Sequence, residues 1–177
     1  MRNQLLQFLL KVATNKTGGR VLMRLITPTD RLLLRLTRGR FCISAMGAPT
    51  LLLETIGRKS GKKRATPLLY LRDHHSADTL YVIGSRGGQG GQAHWALNLS
   101  IHPLAVVHSP EGTGDYFAER ITGDHRAKIW KAFVAFNPGF NIYQSRLKQE
   151  IPIFALKPEL GSLEAASSEN GSGSLSN

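Results

Sequence analysis

The sequence predicts a mainly β, α+β fold: a small antiparallel barrel carrying a few helices. Three observations point to it. Six short runs rich in Leu, Ile, Val, Thr and aromatic residues recur between residues 50 and 157. Two of the links between them are hairpin-length and full of turn formers. Helical spacing interrupts the runs in only two places, whereas a doubly wound parallel sheet needs a crossover helix after almost every strand.

Taken in order, residues 3–37 read as helical, with Leu, Phe, Val and Met at three- and four-residue spacing, broken by Gly18-Gly19 and Pro28. The strands follow as TLLLETI (50–56), RATPLLYLR (64–72), TLYVIGS (79–85), LAVVHS (104–109), DYFAERI (115–121) and IPIFALK (151–157). DHHSAD links the second to the third, and PEGTG the fourth to the fifth. Helices are expected over residues 93–101 and 123–136, the latter resuming after Pro138 as GFNIYQSRL. From Glu159 onward the chain is rich in Ser, Gly and Asn and poor in large apolar residues, as a disordered tail would be. The organisation is therefore a basic helical segment (1–40), a barrel domain (41–158) and a tail (159–177). At 177 residues the chain is long enough for one domain with a real core.

Charge is distributed unevenly. Residues 1–72 hold 15 Lys and Arg against 2 acids, while residues 73–177 hold 8 against 10. An anionic partner met by the N-terminal half follows. No helix-turn-helix, zinc-finger or RNP pattern accompanies the charge, so nucleic acid is not expected. Within 3–37, Arg20, Arg24, Arg31, Arg35 and Arg38 share faces opposite Leu22, Leu25, Leu32, Leu33 and Leu36. That pattern fits an anionic membrane surface and equally a helix packed on its own domain. No apolar run reaches the roughly 20 residues of a membrane span. The N-terminus lacks a small-residue cleavage site, so it is not read as a signal peptide. Cys42, the only cysteine, fits a reducing compartment and reads as a small buried residue; His94, His102, His108 and His125 lack metal-ligand spacing, so no metal site is expected.

The sharpest motif is GRKSGKKRATPL (57–68). Gly57 and Gly61 bracket a turn between two strands, where backbone N–H groups and the side chains of Arg58, Lys59, Lys62, Lys63 and Arg64 can converge on a phosphate. It is not a Walker loop, since the glycine spacing is too short and no Ser or Thr follows Lys62. A second stretch, from Thr79 to Glu111, imitates a dinucleotide-binding fingerprint through Gly88, Gly90 and Ala93. Its helix is too short and its flanking strands look hairpin-paired, so an NAD(P) site is rejected while a glycine-rich loop with Arg86 remains. Trp95 and Asn98 lie three apart on one helix, and Asn137, Phe140 and Tyr143 repeat that spacing after an Asn-Pro break; both sets can line a pocket or simply pack.

In this order, LLETIGRKSGKKRATPLLYLRD, VIGSRGGQGGQAHWALNLSIHP and FNPGFNIYQSRLKQEIPIFAL make residues 50–158 resemble the deazaflavin-dependent nitroreductase family. The G-R-K-S/T-G-x-x-R-x-x-P element is the most specific part of the match. The resemblance implies a split β-barrel of the FMN-binding-protein kind and a hydride-transferring oxidoreductase. It implies coenzyme F420, a 5-deazaflavin with a phosphodiester and an oligoglutamate tail, as cofactor. By positional match, Arg58, Lys59, Ser60 and Arg64 would hold the phosphate and acidic tail, and Ala65, Thr66, Pro67, Leu68 and Leu69 would run beside the cofactor. Ile83, Gly84, Ser85 and Arg86 would lie against ring and linker, His94, Trp95, Ala96, Leu97 and Asn98 would complete that wall, and Phe140 would join it. Ser85 is the matched candidate for a catalytic hydrogen-bond donor, with Asn137 and Tyr143 on the acceptor side. Asn137 and Phe140 stand where nitroreductase members usually carry tyrosines, which turns expectation toward a quinone or enone acceptor. Family members with basic N-terminal helices act at membranes, implying a cytoplasmic protein peripheral on the inner face of the cell membrane. The alternatives are an FMN reductase on the same barrel and a non-catalytic lipid- or cofactor-binding protein.

Overall fold

The computed structural model describes residues 48–72, 78–89 and 91–159. The basic segment 1–40, Cys42, the His74-His75 link and the tail from 160 lie outside the described residues. Six strands form a closed antiparallel barrel, β1 (Thr50–Ile56), β2 (Lys63–Arg72), β3 (Leu80–Ile83), β4 (Leu104–Ser109), β5 (Gly112–Arg120) and β6 (Ile153–Pro158), ordered β1-β2-β3-β6-β5-β4 around the ring. Helix α1 (His94–Leu99) follows β3, and α2 (Gly123–Phe136) and α3 (Gly139–Ser145) lie between β5 and β6. No described strand pairs in parallel, and β3 is bonded to β2 and β6 rather than to β4, so the nucleotide-fold imitation has no sheet to stand on.

Alternation along each strand sorts side chains into two cores. Leu51, Leu53, Leu80, Val82, Val107, Phe154 and Leu156 fill the barrel, joined by Trp95, Ala96 and Leu99 from α1 and by Ala93 just before it. The intervening residues Tyr81, Ile83, Ile153 and Ala155 face outward and are covered by Ile129 and Phe133 of α2 and Phe140 of α3. Arg126 fastens α2 at one end: it donates to the Ile151 carbonyl at 3.1 Å, pairs with Glu150 at 3.2 Å and lies 5.3 Å from the Trp130 ring centre.

Most element boundaries shift by a residue or two from the sequence reading, and three of the shifts have a local reason. β3 stops at Ile83 because the Gly84 N–H turns to the Pro152 carbonyl at 2.8 Å and Ser85 takes helical angles. β6 starts two residues late because Pro152 has no N–H and the Ile151 N–H is taken by Gln144 Oε1 at 2.8 Å. The PEGTG link shrinks to Pro110-Glu111, since Gly112, Thr113 and Gly114 pair with Ser109, His108 and Val107.

One stretch of the barrel wall is paired on one side only. β2 is ten residues long, yet β3 pairs with it only at Tyr70, Leu71 and Arg72. Residues 63–69 therefore bond to β1 alone. Pro67, which cannot donate to a ladder, sits in this one-sided stretch opposite Leu52.

Candidate active site

The cationic turn closes on itself. Gly57 N–H donates to Lys62 O at 2.9 Å, while Ser60 and Gly61 donate back to Gly57 O at 3.0 and 2.8 Å. Gly61 has φ +64, which favours glycine, and a Cβ on Gly57 would lie 2.8 Å from Ser60 Oγ. The Arg58 N–H donates at 3.1 Å to Asn98 Oδ1. The backbone donors of Gly57, Arg58, Ser60 and Gly61 are thus used inside the protein. An anion here meets mainly side chains, in contrast to the backbone cradle the glycines suggest in sequence.

Those side chains border a cavity of ≈ 620 Å³ lined by Gly57, Arg58, Lys59, Ser60, Lys63, Arg64, Ala65, Thr66, His94, Trp95 and Asn98. Four Lys and Arg residues face it and no carboxylate lines it. A concave wall of one charge sign focuses potential and concentrates anions. Opposite the turn, α1 presents exposed His94 beside buried Trp95 and Asn98. Trp95 both packs and lines: it meets Phe154 edge-on at 5.7 Å inside the barrel and also borders the cavity.

Of the residues expected to bind a cofactor, the cavity gathers Arg58, Lys59, Ser60, Arg64, Ala65, Thr66, His94, Trp95 and Asn98. Gly57 and Lys63 line it as well, outside the expected set. Lys63 is legible in sequence only as one of the five-cation run; β2 begins with it and so turns it to the cavity. Pro67, Leu68 and Leu69 continue along β2 beyond the lining, with Leu68 packed on the inner core and Leu69 on the outer. Ala96 is a core residue and Leu97 is half-buried; neither lines the cavity.

The remaining candidates lie outside the cavity lining, in residues 83–89, at Asn137 and in α3, where the loop after β3 meets α3. Arg86, Gly87, Gly88 and Gly91 all have positive φ, bending the chain sharply after Ser85. A Cβ on Gly88 would overlap the Tyr143 ring, so that ring lies directly on the loop backbone. Tyr143 meets Phe140 edge-on at 6.0 Å, and Phe140 meets Phe133 at 5.7 Å. Phe140 is 5% exposed, a core side chain. Asn137 is exposed, and its Oδ1 accepts the Gly139 N–H at 2.9 Å, so it caps the start of α3. Glutamines missed by the sequence reading brace this region: Gln92 donates to Gln149 Oε1 at 3.0 Å, and Gln144 donates to the Gln149 carbonyl at 3.0 Å. Ser85 is buried and makes no capping hydrogen bond with its side chain.

A sequence profile described as F420H(2)-dependent quinone reductase matches residues 28–158. The chain belongs to that family. It is accordingly an F420-dependent oxidoreductase, and the expected split barrel is its fold. The chain is 34% identical over 110 residues to the Mycobacterium tuberculosis H37Rv protein Rv3178, provisionally named for the same activity, covering 62% of this chain and 90% of that one. It is 30% identical over 124 residues to the F420H(2)-dependent quinone reductase Rv1261c of the same strain, covering 68% of this chain and 81% of the relative. Among solved structures, an F420-H2 dependent reductase, FDR-A, superposes with a TM-score of 0.55 at 29% identity over 62% of this chain and 94% of that chain. A domain-swapped dimer superposes equally well, TM-score 0.55 at 27% identity, over 74% of this chain and all of the other.

Proposed function

We propose that this quinone reductase binds coenzyme F420 with its acidic tail in the cationic cavity and its ring along the one-sided stretch of β2. The observation that carries the reading is the lining itself: Arg58, Lys59, Lys63 and Arg64 converge with no carboxylate among them. A phosphodiester followed by several carboxylates suits such an extended cationic groove, and Ser60 adds a neutral hydrogen-bond donor. FMN, with one terminal phosphate and no acidic tail, would leave much of that charge unmatched. Ala65 to Leu69 and the backbone from Ile83 to Arg86 then flank the ring, with Trp95 beside the linker.

Bound in reduced form, the deazaflavin supplies a hydride, two electrons at a time. The chain's own contribution is orientation and hydrogen bonding. Ser85, whose hydroxyl is free of a capping role, donates to the acceptor oxygen as it gains negative charge. Solvent then completes protonation of the reduced acceptor. Asn137 and Tyr143 border the acceptor side, and a small quinone or enone suits it better than a bulky nitro compound, because Asn137 offers a short amide already engaged by Gly139. A further part of the proposal concerns residues 1–40, whose nine cations and one acid would hold the enzyme peripherally on an anionic membrane surface at the cytoplasmic face.

Mixing the purified protein with reduced F420 and a quinone, and following loss of reduced-cofactor absorbance, tests the reading. Turnover is expected, with Ser85→Ala slowing it by about 10²-fold at unchanged cofactor affinity. No oxidation by any quinone or enone would overturn it.

A further inference from the structure

Asn98 spends both ends of its amide on the protein. Its Oδ1 accepts the Arg58 N–H at 3.1 Å, and its Nδ2 donates to Thr55 Oγ1 at 3.1 Å. The orientation of the amide is not arbitrary: a backbone N–H can only donate, so the oxygen must face Arg58 and the nitrogen must face the hydroxyl. Asn98 is 5% exposed and Thr55 1% exposed, so the chain Thr55–Asn98–Arg58 is dry at its core. Thr55 lies on β1, across from Arg64 in the β1–β2 register, and does not line the cavity. The chain therefore ties three elements together: the end of β1, the inner face of α1 and the first residue after Gly57.

We infer that Thr55 and Asn98 are positioning residues for the anion-binding turn, acting through the Arg58 backbone. The turn is internally bonded from Gly57 to Lys62, so it moves as one unit carrying Arg58, Lys59 and Ser60. Among the described residues, what fixes that unit against α1 is the bond from Arg58 N–H to Asn98. Asn98 in turn is held by Thr55, the acceptor of its amide nitrogen among the described residues. Preorganised cations bind an anion without first losing the freedom to wander, so loosening this strut weakens binding even when the change is made at Thr55, which does not line the cavity.

Thr55→Val keeps shape and removes the hydroxyl. Flipping the Asn98 amide cannot repair the loss, because it would set Nδ2 against the Arg58 N–H. Two readouts apply. Amide hydrogen exchange by NMR, on ligand-free protein, is expected to quicken at Arg58 about tenfold in Thr55→Val while Gly61 holds, and Thr55→Ser is expected to restore the parent rate. Cofactor titration, the arm that rests on the proposed function, is expected to show F420 binding weakened about five- to tenfold in Thr55→Val and restored in Thr55→Ser. Should Thr55→Val not fold, Thr55→Ala is read the same way. Parent-like exchange at Arg58 in the hydroxyl-free variant would overturn the inference. So would weakened F420 binding in Asn98→Leu with parent affinity in Thr55→Val, which would make Asn98 a direct ligand contact. If the parent binds no F420, the functional reading falls, while the exchange rates still decide the strut.

Discussion

Arg58 and Lys59 stand at the first corner of a turn whose amides are largely occupied, so their charge has to be delivered through side chains. Each charge-assisted bond to a phosphate is worth about 1.5–3 kcal/mol, and Arg58→Ala or Lys59→Ala is predicted to weaken F420 binding by that much. Fluorescence titration of folded variants checks it; parent affinity in both would remove the phosphate from this turn. At the far side of the inner core, Tyr70 and Tyr116 carry a different electrostatic signature. Burial pushes both phenols above their usual pKa, and Glu111, 3.5 Å from the Tyr70 hydroxyl, adds to it. A phenol with a raised folded pKa binds its proton more tightly in the folded state, so its stabilisation is complete below the unfolded value of about 10 and is lost as pH climbs through the folded one. Tyrosinate absorbance should thus show Tyr70 and Tyr116 ionising late, together with alkaline unfolding, and Tyr70→Phe should flatten that loss. Ionisation of Tyr70 and Tyr116 in the ordinary phenol range in the folded protein would contradict the burial argument.

Among the elements, α3 is short, and its place depends on what it touches. Gly88 has φ +74 and lies under the Tyr143 ring. Gly88→Ala adds strain of roughly 1–2 kcal/mol and displaces Tyr143. The predicted outcome is a lower melting temperature and a raised KM for the quinone, with F420 affinity little changed. An unaltered melting temperature and KM would mean the ring does not rest on the loop. The same region shows what a sequence can and cannot disclose. β1 and β4 were readable to the residue, because alternation and turn chemistry act locally. The end of β3 was not, because it is set by a bond from Gly84 to Pro152, distant in sequence. The cationic turn was plain as a charge cluster, yet that its amides face inward follows only from Asn98, forty residues away. Phe140 and Trp95 read equally as core or as pocket, since an aromatic at helical spacing serves both; packing makes Phe140 core and gives Trp95 both roles.

Over the whole sequence, charge is segregated. The 15 cations in residues 1–72 include the turn and the N-terminal segment, two separate claims on anions. Among the described residues no helix is long and apolar enough to cross a membrane. Deleting residues 1–40 is predicted to abolish sedimentation with anionic vesicles and leave F420 affinity nearly unchanged, and vesicle binding by the full chain should fade at high salt. Indifference of the full chain to such vesicles at low salt would mean those arginines serve another purpose. Within the cavity, whose lining holds four Lys and Arg residues and no carboxylate, selection of a phosphodiester with an acidic tail is predicted. Side-by-side titration of the full-length protein with F420 and with FMN tests it most directly. Saturable F420 binding that weakens with salt, and FMN binding at least tenfold weaker, is the predicted result; FMN binding as tight as F420 would contradict it.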